Sequence, residues 1–184
     1  MEEIRRVKRN MCFEGAIVDF YQDDMQMPDG TIHKWDLVHH RKGAAAVLPI
    51  LPDGRILMVR QFRNALDRMT LEIPAGARDD VNEETVVCAA RELEEETGYA
   101  AGKIEFLLNL RPTVAYCDEF IDIFVATDLK PGHTHPDEYE FVDVEKHELK
   151  ELAEMIYAGK LCDGKTVAAI MSYLAKQKLF LNIT

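Results

Sequence analysis

Cysteine is scarce and scattered in this sequence: Cys12, Cys88, Cys117 and Cys162 stand apart, with no Cys-x-x-Cys pair. That spacing argues against a zinc cluster and a disulfide framework, and leaves reduced thiols as the expectation. Long apolar runs are missing as well; none approaches the ~20 residues that a membrane span needs. Residues 1–10 are charged where a secretory signal is apolar, so a cytoplasmic setting is expected. Positive charge is short too. The chain has 22 Lys and Arg against 33 Asp and Glu, a formal net charge of −11. Such a balance argues against nucleic acid or an anionic membrane as partner. It leaves a phosphate-bearing small molecule open, because bound divalent cations reverse the local sign of charge. His39-His40 and His133-x-His135 lack partners at ligand spacing, so solvated or substrate-edge histidines are the plainer reading. No internal repeat, low-complexity tract or linker interrupts the 184 residues. That length suits one domain with a short accessory arm, able to bury a substantial core.

Strand and turn patterns fill the first half. Residues 15–21 alternate as a strand, Met27-Pro28-Asp29-Gly30 is a turn, and residues 32–39 read as the return strand of a hairpin. Residues 44–51 and 55–62 form a second apolar pair about Pro52-Asp53-Gly54, again read as a hairpin. A helix is expected over residues 83–97, and strands over 104–110, 120–127 and 140–144. Amphipathic helices are expected over 145–158 and 165–179, the last capped by Asp163.

The most informative stretch is Arg91-Glu92-Leu93-Glu94-Glu95-Glu96-Thr97-Gly98-Tyr99, downstream of Glu72-Ile73-Pro74-Ala75-Gly76. On a helix, Glu92, Glu95 and Glu96 share one face, where like charges repel. A cation between them removes the conflict. Hard ions such as Mg²⁺ take carboxylate and carbonyl oxygens and keep waters that a phosphate displaces. Glutamate-rich faces are more often only solvated. Here the fixed Arg-Glu-x-x-Glu-Glu-x-Gly spacing, with Glu83 upstream, makes the metal reading the stronger one. Val86, Ala90, Leu93 and Thr97 fall at helical spacing and are expected to face the core. Gly98 ends the helix, Arg91 reaches Glu95 at i,i+4, and Glu94 is expected in solvent.

These residues resemble the Nudix box of the Nudix hydrolases, Gly-x5-Glu-x7-Arg-Glu-U-x-Glu-Glu-x-Gly-U, with U a bulky apolar residue. From Glu83 the match is complete through Arg91, Glu92, Leu93, Glu95, Glu96, Gly98 and Tyr99. Six residues rather than five separate Gly76 from Glu83, a one-residue insertion in a surface turn. The resemblance implies an α/β/α sandwich of mixed sheet. It divides the chain into an N-terminal β-hairpin arm for dimerisation, residues 1–42, and a Nudix hydrolase domain, residues 43–184. It implies Glu92, Glu95, Glu96 and the backbone carbonyl of Ala75 as metal ligands. Gly76, Glu83, Arg91 and Gly98 are then structural in the motif, with Arg91 bracing Glu83. The implied cofactor is Mg²⁺, with Mn²⁺ as the alternative. The implied reaction is attack of water on phosphorus in a nucleoside diphosphate linked to another group.

Arg60-Gln61-Phe62-Arg63, followed by Leu71-Glu72-Ile73-Pro74-Ala75-Gly76, is similar to the ADP-ribose pyrophosphatase branch, which implies that Arg63 contacts the substrate diphosphate. Trp35-Asp36 matches the place where that branch presents an aromatic and an acid from the partner subunit, the ring stacking on adenine. Core packing is the other reading of Trp35. Thr113-Val114-Ala115-Tyr116-Cys117-Asp118-Glu119 lies where the branch carries Ser-Pro-Gly and then a glutamate. Tyr116 and Glu119 fit, whereas Val114-Ala115 replace Pro-Gly. Asp137-Glu138-Tyr139-Glu140 matches an acidic loop that supplies the general base, implying Glu138 as base and Glu140 as helper. An ordinary acidic surface loop is the plain alternative. The resemblance spans residues 12–179 and implies a homodimeric, metal-dependent enzyme that cleaves ADP-ribose to AMP and ribose 5-phosphate. A pyrophosphatase for other nucleoside diphosphate sugars shares every metal ligand. A module that senses ADP-ribose without cleaving it usually has a degraded box, and here Glu92, Glu95 and Glu96 are all present.

Overall fold

The computed structural model describes residues 3–132 and 142–181. The chain divides into two compact units, Met1–Gly43 with Arg111–Phe120, and Ala44–Leu110 with Ile121–Thr184.

In the smaller unit, β1 (Arg5–Glu14), β2 (Val18–Gln26) and β3 (Ile32–His40) form an antiparallel sheet in that order. β2 and β3 are the expected hairpin, running from Val18↔His40 to Gln26↔Ile32. Its turn places Gly30 at φ 83° and uses Asp29 Oδ1 to accept the Thr31 amide at 2.9 Å. β1 was not expected, and its chemistry explains why. It is fastened to β2 by charge rather than by alternating apolar residues: Arg9 makes two 2.8 Å bonds to Asp23, and Arg5 bonds Gln26 at 2.8 Å. Register shifts at Arg6/Lys8 and Met11/Phe13 further break the period of two that betrays a strand. The 111–120 segment is fixed along β3 by Val38 N–H to Tyr116 O at 2.7 Å and by His39 against Asp118 at 2.6 Å.

The larger unit is built on β4 (Ala44–Pro49), the centre of a mixed sheet. The other strands are β5 (Ile56–Arg63), β6 (Arg68–Glu72), β7 (Ala75–Ala77), β8 (Tyr99–Ala100), β9 (Lys103–Leu110), β10 (Ile121–Thr127), β11 (Lys130–Pro131) and β12 (Asp143–His147). The helices are α1 (Thr85–Thr97), α2 (Leu149–Tyr157) and α3 (Gly164–Leu181). The main sheet runs β7-β4-β10-β9, with β4 parallel to β10, and a second sheet runs β12-β5-β6. All six residues of β4 are buried, because both of its faces are covered. Ala44, Ala46 and Leu48 pack with Leu152, Ala169 and Ile170 of α2 and α3. Ala45 and Val47 pack with Cys88, Ala89 and Leu93 of α1. Helices thus lie on both faces of a mixed sheet, the expected α/β/α sandwich.

Four details differ from the sequence reading. The turn at 51–55 forms, with Gly54 at φ 88°, but β4 and β5 share only the bridge Ile50↔Ile56 before entering different sheets. Two doubly buried apolar runs look alike in sequence, and periodicity does not name their partners. Residues 143–147 form a strand on β5 rather than the start of a helix, held across the pair by Arg60 to Glu145, which also meets His147 of its own strand at 2.8 Å. The core face of α1 is Cys88, Ala89, Leu93 and Thr97 together with Glu92 and Glu96, while Val86 is 39% exposed. Two carboxylates occupy the face that an apolar count assigns to hydrophobic residues. Glu94 is half-buried rather than solvated, its carboxylate lying against Gly132. α1 ends at Gly98 with φ 71°, and Asp163 caps α3 by accepting the Thr166 amide at 3.1 Å, as expected.

A buried ionic cluster joins β5, β6 and α3. Glu72 is 2% exposed and accepts bonds from Arg63, Thr70 and Lys165. Burial alone pushes its carboxyl up, but Arg63, Lys165 and Thr70 outweigh that and bring it down to about 2.

Replacing Leu93 with Ala is expected to lower stability by about 2–5 kcal/mol, and Val86→Ala by no more than about 0.5 kcal/mol. Urea midpoints of the two variants measure the difference, and equal losses refute this helix register. A second expectation concerns acid. Because the folded pKa of Glu72 lies below the unfolded value, its stabilisation is complete above about pH 4.5 and is lost as the pH falls towards 2. The stability gap between wild type and Glu72→Gln should therefore narrow across that window, as urea titrations at pH 6, 4 and 3 will read.

Candidate active site

The site is assembled where β7 meets α1. Glu92 and Glu96 are 8% and 6% exposed, far more buried than solvated glutamates. Glu96 Oε2 accepts the Ala75 amide at 3.0 Å, tying the helix to the strand. A Cβ built on Gly76 collides with the Glu92 carboxylate, so the glycine leaves the volume that this side chain fills. Arg91 organises the rest. Its Nη1 donates to Glu92 at 2.7 Å and to Glu95 at 3.0 Å, and its Nε and Nη2 reach Glu83 at 3.3 and 3.4 Å. Nη2 also donates to Ala77 O at 3.1 Å, so one guanidinium braces the loop, the helix start and two carboxylates.

The 78–84 loop absorbs the extra residue. Asp79 N–H donates to Glu83 Oε2 at 2.7 Å and Arg78 donates to Val81 O at 2.8 Å, closing the turn upstream of α1. Burial pushes the Glu83 carboxyl up, yet the bond from Arg91 and the Asp79 amide leave it below the ordinary value. The Arg91 guanidinium, although penalised by burial, is held firmly protonated by Glu83 and Glu92. Cys88 lies beneath this layer, 3.6 Å from Gly76 O, and burial pushes its thiol up to about 12. It is therefore an inert packing group at neutral pH.

The donor set suits a divalent cation. α1 carries four glutamates against one basic residue, Arg91. Glu92, Glu95 and Glu96 with the Ala75 carbonyl are hard oxygen donors of the kind Mg²⁺ takes. Among the described residues no three acidic, histidine or cysteine side chains converge on a common point. Glu92 and Glu95 turn to Arg91, and Glu96 turns to the Ala75 amide. Gly76 supplies the room in which the Glu92 carboxylate sits.

The remaining candidates are distributed as follows. Arg63 is paired with Glu72, Nε at 2.8 Å and Nη2 at 2.6 Å, with its side chain 40% exposed. Trp35 lies on β3 opposite Asp23 and is 49% exposed, so it is not a core residue. Asp36 accepts from Gln22 at 3.3 Å, and Glu119 lies 3.9 Å from His40 Nε2; with Trp35, both belong to the smaller unit. Glu138 and Glu140, together with His133 and His135, lie outside the described residues. Sequence reasoning overlooked the partners of Glu72. Alternation along β6 offers part of the signal, since Thr70 and Glu72 point to one face. Lys165, ninety-three residues away, leaves none.

Residues 39–169 match the NUDIX domain. The chain is 35% identical over 179 residues to an ADP-ribose pyrophosphatase of Bacillus subtilis (strain 168), covering 96% of each. It is 37% identical over 178 residues to a methanol dehydrogenase activator of Bacillus methanolicus, covering 96% of this chain and 95% of that one. A crystal structure described as an ADP compounds hydrolase superposes with a TM-score of 0.87 at 20% identity, over 97% of this chain and 96% of that chain, a likeness of fold. By the matched domain and these full-length relatives, the chain belongs to the NUDIX family.

Proposed function

We propose that the protein hydrolyses the diphosphate of ADP-ribose to AMP and ribose 5-phosphate with the help of a divalent cation. The observation that carries this reading is the face of α1, where buried carboxylates are ordered about Arg91 over Gly76. The substrate class is supported by the full-length likeness to a relative named for ADP-ribose. Glu92, Glu95, Glu96 and the Ala75 carbonyl are the residues to hold the cation, Mg²⁺ first and Mn²⁺ second. When bound, it neutralises the diphosphate and acidifies a water.

The chain's own groups do the rest. Arg91 keeps the carboxylates in register, a role that needs no contact with substrate. Arg63 offers its guanidinium to the diphosphate, and Trp35 and Asp36 receive the adenosine end. Glu119 is assigned to substrate binding on the resemblance of its segment. Glu138 takes the proton of the attacking water, with Glu140 as helper. The new O–P bond forms as the bridging P–O bond breaks, and the leaving phosphate carries the electron pair away.

We further propose a homodimer in which residues 1–42 reach the partner's active site. Large apolar side chains exposed on the small unit, among them Met11, Phe13, Ile17 and Trp35, support an interface there. A cytoplasmic setting belongs to the same proposal. No helix among the described residues is long and apolar enough to cross a membrane.

A substrate panel of ADP-ribose, ADP-glucose, UDP-glucose and GDP-mannose, read by phosphate release after phosphatase coupling, tests the reading, and a clear preference for any of the others overturns it. Glu96→Gln keeps size and helix propensity, so the protein should fold while turnover falls by about two orders of magnitude or more. Near-full activity of Glu96→Gln at saturating Mg²⁺ removes the metal assignment. Trp35→Ala should weaken ADP-ribose binding by about 1–3 kcal/mol, seen as a raised KM with a smaller change in kcat. Mixing Trp35→Ala with Glu96→Gln should, after subunit exchange, exceed the summed activities at low substrate. Monomeric behaviour in solution, or an unchanged KM for Trp35→Ala, overturns the shared site.

A further inference from the structure

Glu72 is a single carboxylate facing two cations and a hydroxyl. Arg63 grips it with Nε at 2.8 Å and Nη2 at 2.6 Å, and Thr70 donates at 2.6 Å. Lys165 Nζ closes on the same Oε2 that receives Arg63 Nη2. Lys165 is no surface lysine: its side chain is 10% exposed, and lysine is almost never buried unless paired. Asp163 Oδ2 holds the same ammonium at 3.0 Å while capping α3 through Thr166. Thr166 in turn accepts the Ile73 amide at 3.0 Å through a fully buried hydroxyl. The start of α3 is thus bonded to the 72–76 strand segment, whose Ala75 amide holds Glu96.

We infer that Lys165 is a positioning residue for the reaction: it shares the Glu72 carboxylate with Arg63 and so sets how tightly Arg63 is withheld from the substrate diphosphate. The inference rests on the proposed function, in which Arg63 meets that diphosphate. The physics is competition for one anion. A bidentate arginine–carboxylate pair is among the stronger side-chain contacts, and poor solvation at Glu72 strengthens it further. A second cation on the same oxygen weakens the hold on the first. Without Lys165 the whole negative charge of Glu72 acts on Arg63, and the substrate has to compete against an undivided ion pair.

The test is a double-mutant cycle on ADP-ribose hydrolysis with Lys165→Met, Lys165→Arg and Arg63→Ala. Lys165→Met should raise KM about tenfold and leave kcat within about threefold, the split of a lost binding contribution. Lys165→Arg keeps a positive charge beside Glu72 and should restore KM to within about threefold of wild type. In the Arg63→Ala background, Lys165→Met should add nothing, because its route to substrate is gone. Lys165→Gln, which keeps a donor without charge, replaces Lys165→Met if that variant does not fold. A folded Lys165→Met with wild-type KM overturns the inference, as does the same loss in both backgrounds, which marks a structural defect. Arg63→Ala with unchanged KM overturns it as well. A wild-type enzyme inactive on ADP-ribose refutes the proposed substrate instead, and the cycle is then run on the nucleoside diphosphate that it does cleave.

Discussion

Carboxylates crowded onto one helix face must be kept together against their own repulsion, and in this chain that task falls to one guanidinium. Arg91 touches Glu83, Glu92 and Glu95, and its bond to Ala77 O carries the arrangement across to β7. Each acid is half-satisfied by the same centre, so none can leave without disturbing the others. The buried position of Glu92 depends on this, and that of Glu96 on the Ala75 amide, because a carboxylate removed from water needs a partner or a proton. The loop, the helix start and the strand edge are therefore one electrostatic unit.

That unit rests on a strand with no free face. β4 sends alternate side chains to α1 and to α2 and α3, so the position of α1 against the sheet is fixed by small residues, Ala45 and Val47, below Cys88, Ala89 and Leu93. Small residues bring the layers close, and close layers leave little play in the carboxylates above. On the other side of β5 and β6 the same logic appears in ionic form. Glu72 gathers Arg63, Thr70 and Lys165 from three elements, and Asp163 joins the capping of α3 to that cluster. Packing and charge here serve one end, which is to hold the 72–76 segment still.

The fold was legible wherever a local rule applied. The helix of the box, its left-handed stop at Gly98, the β2–β3 hairpin and the cap at Asp163 each follow from residues within a few positions of one another. What could not be read depended on distant partners. β4 and β5 flank a genuine turn, yet β4 pairs with β10, more than seventy residues on, and no feature of either run names the other. β1 was hidden because its register is kept by Arg9 and Asp23 rather than by apolar alternation. The site shows the same division. Spacing marks the carboxylates of α1, whereas the engagement of Glu72 by Arg63 and Lys165 came only from the fold. Val86 was misread for a related reason: a helix that spends part of its buried face on glutamates no longer displays that face as an apolar stripe.

Gly76 shows how an inert position can govern a charged one. Most changes near the box would act by removing an oxygen or adding a charge. At this position the harm comes from a methyl group, since the space beside β7 is already filled by the carboxylate of Glu92. Even alanine, uncharged and at home in a strand, has to push that carboxylate aside. Tolerance here is limited by volume, so the chemistry of the helix is guarded by one carbon atom that the strand does not have.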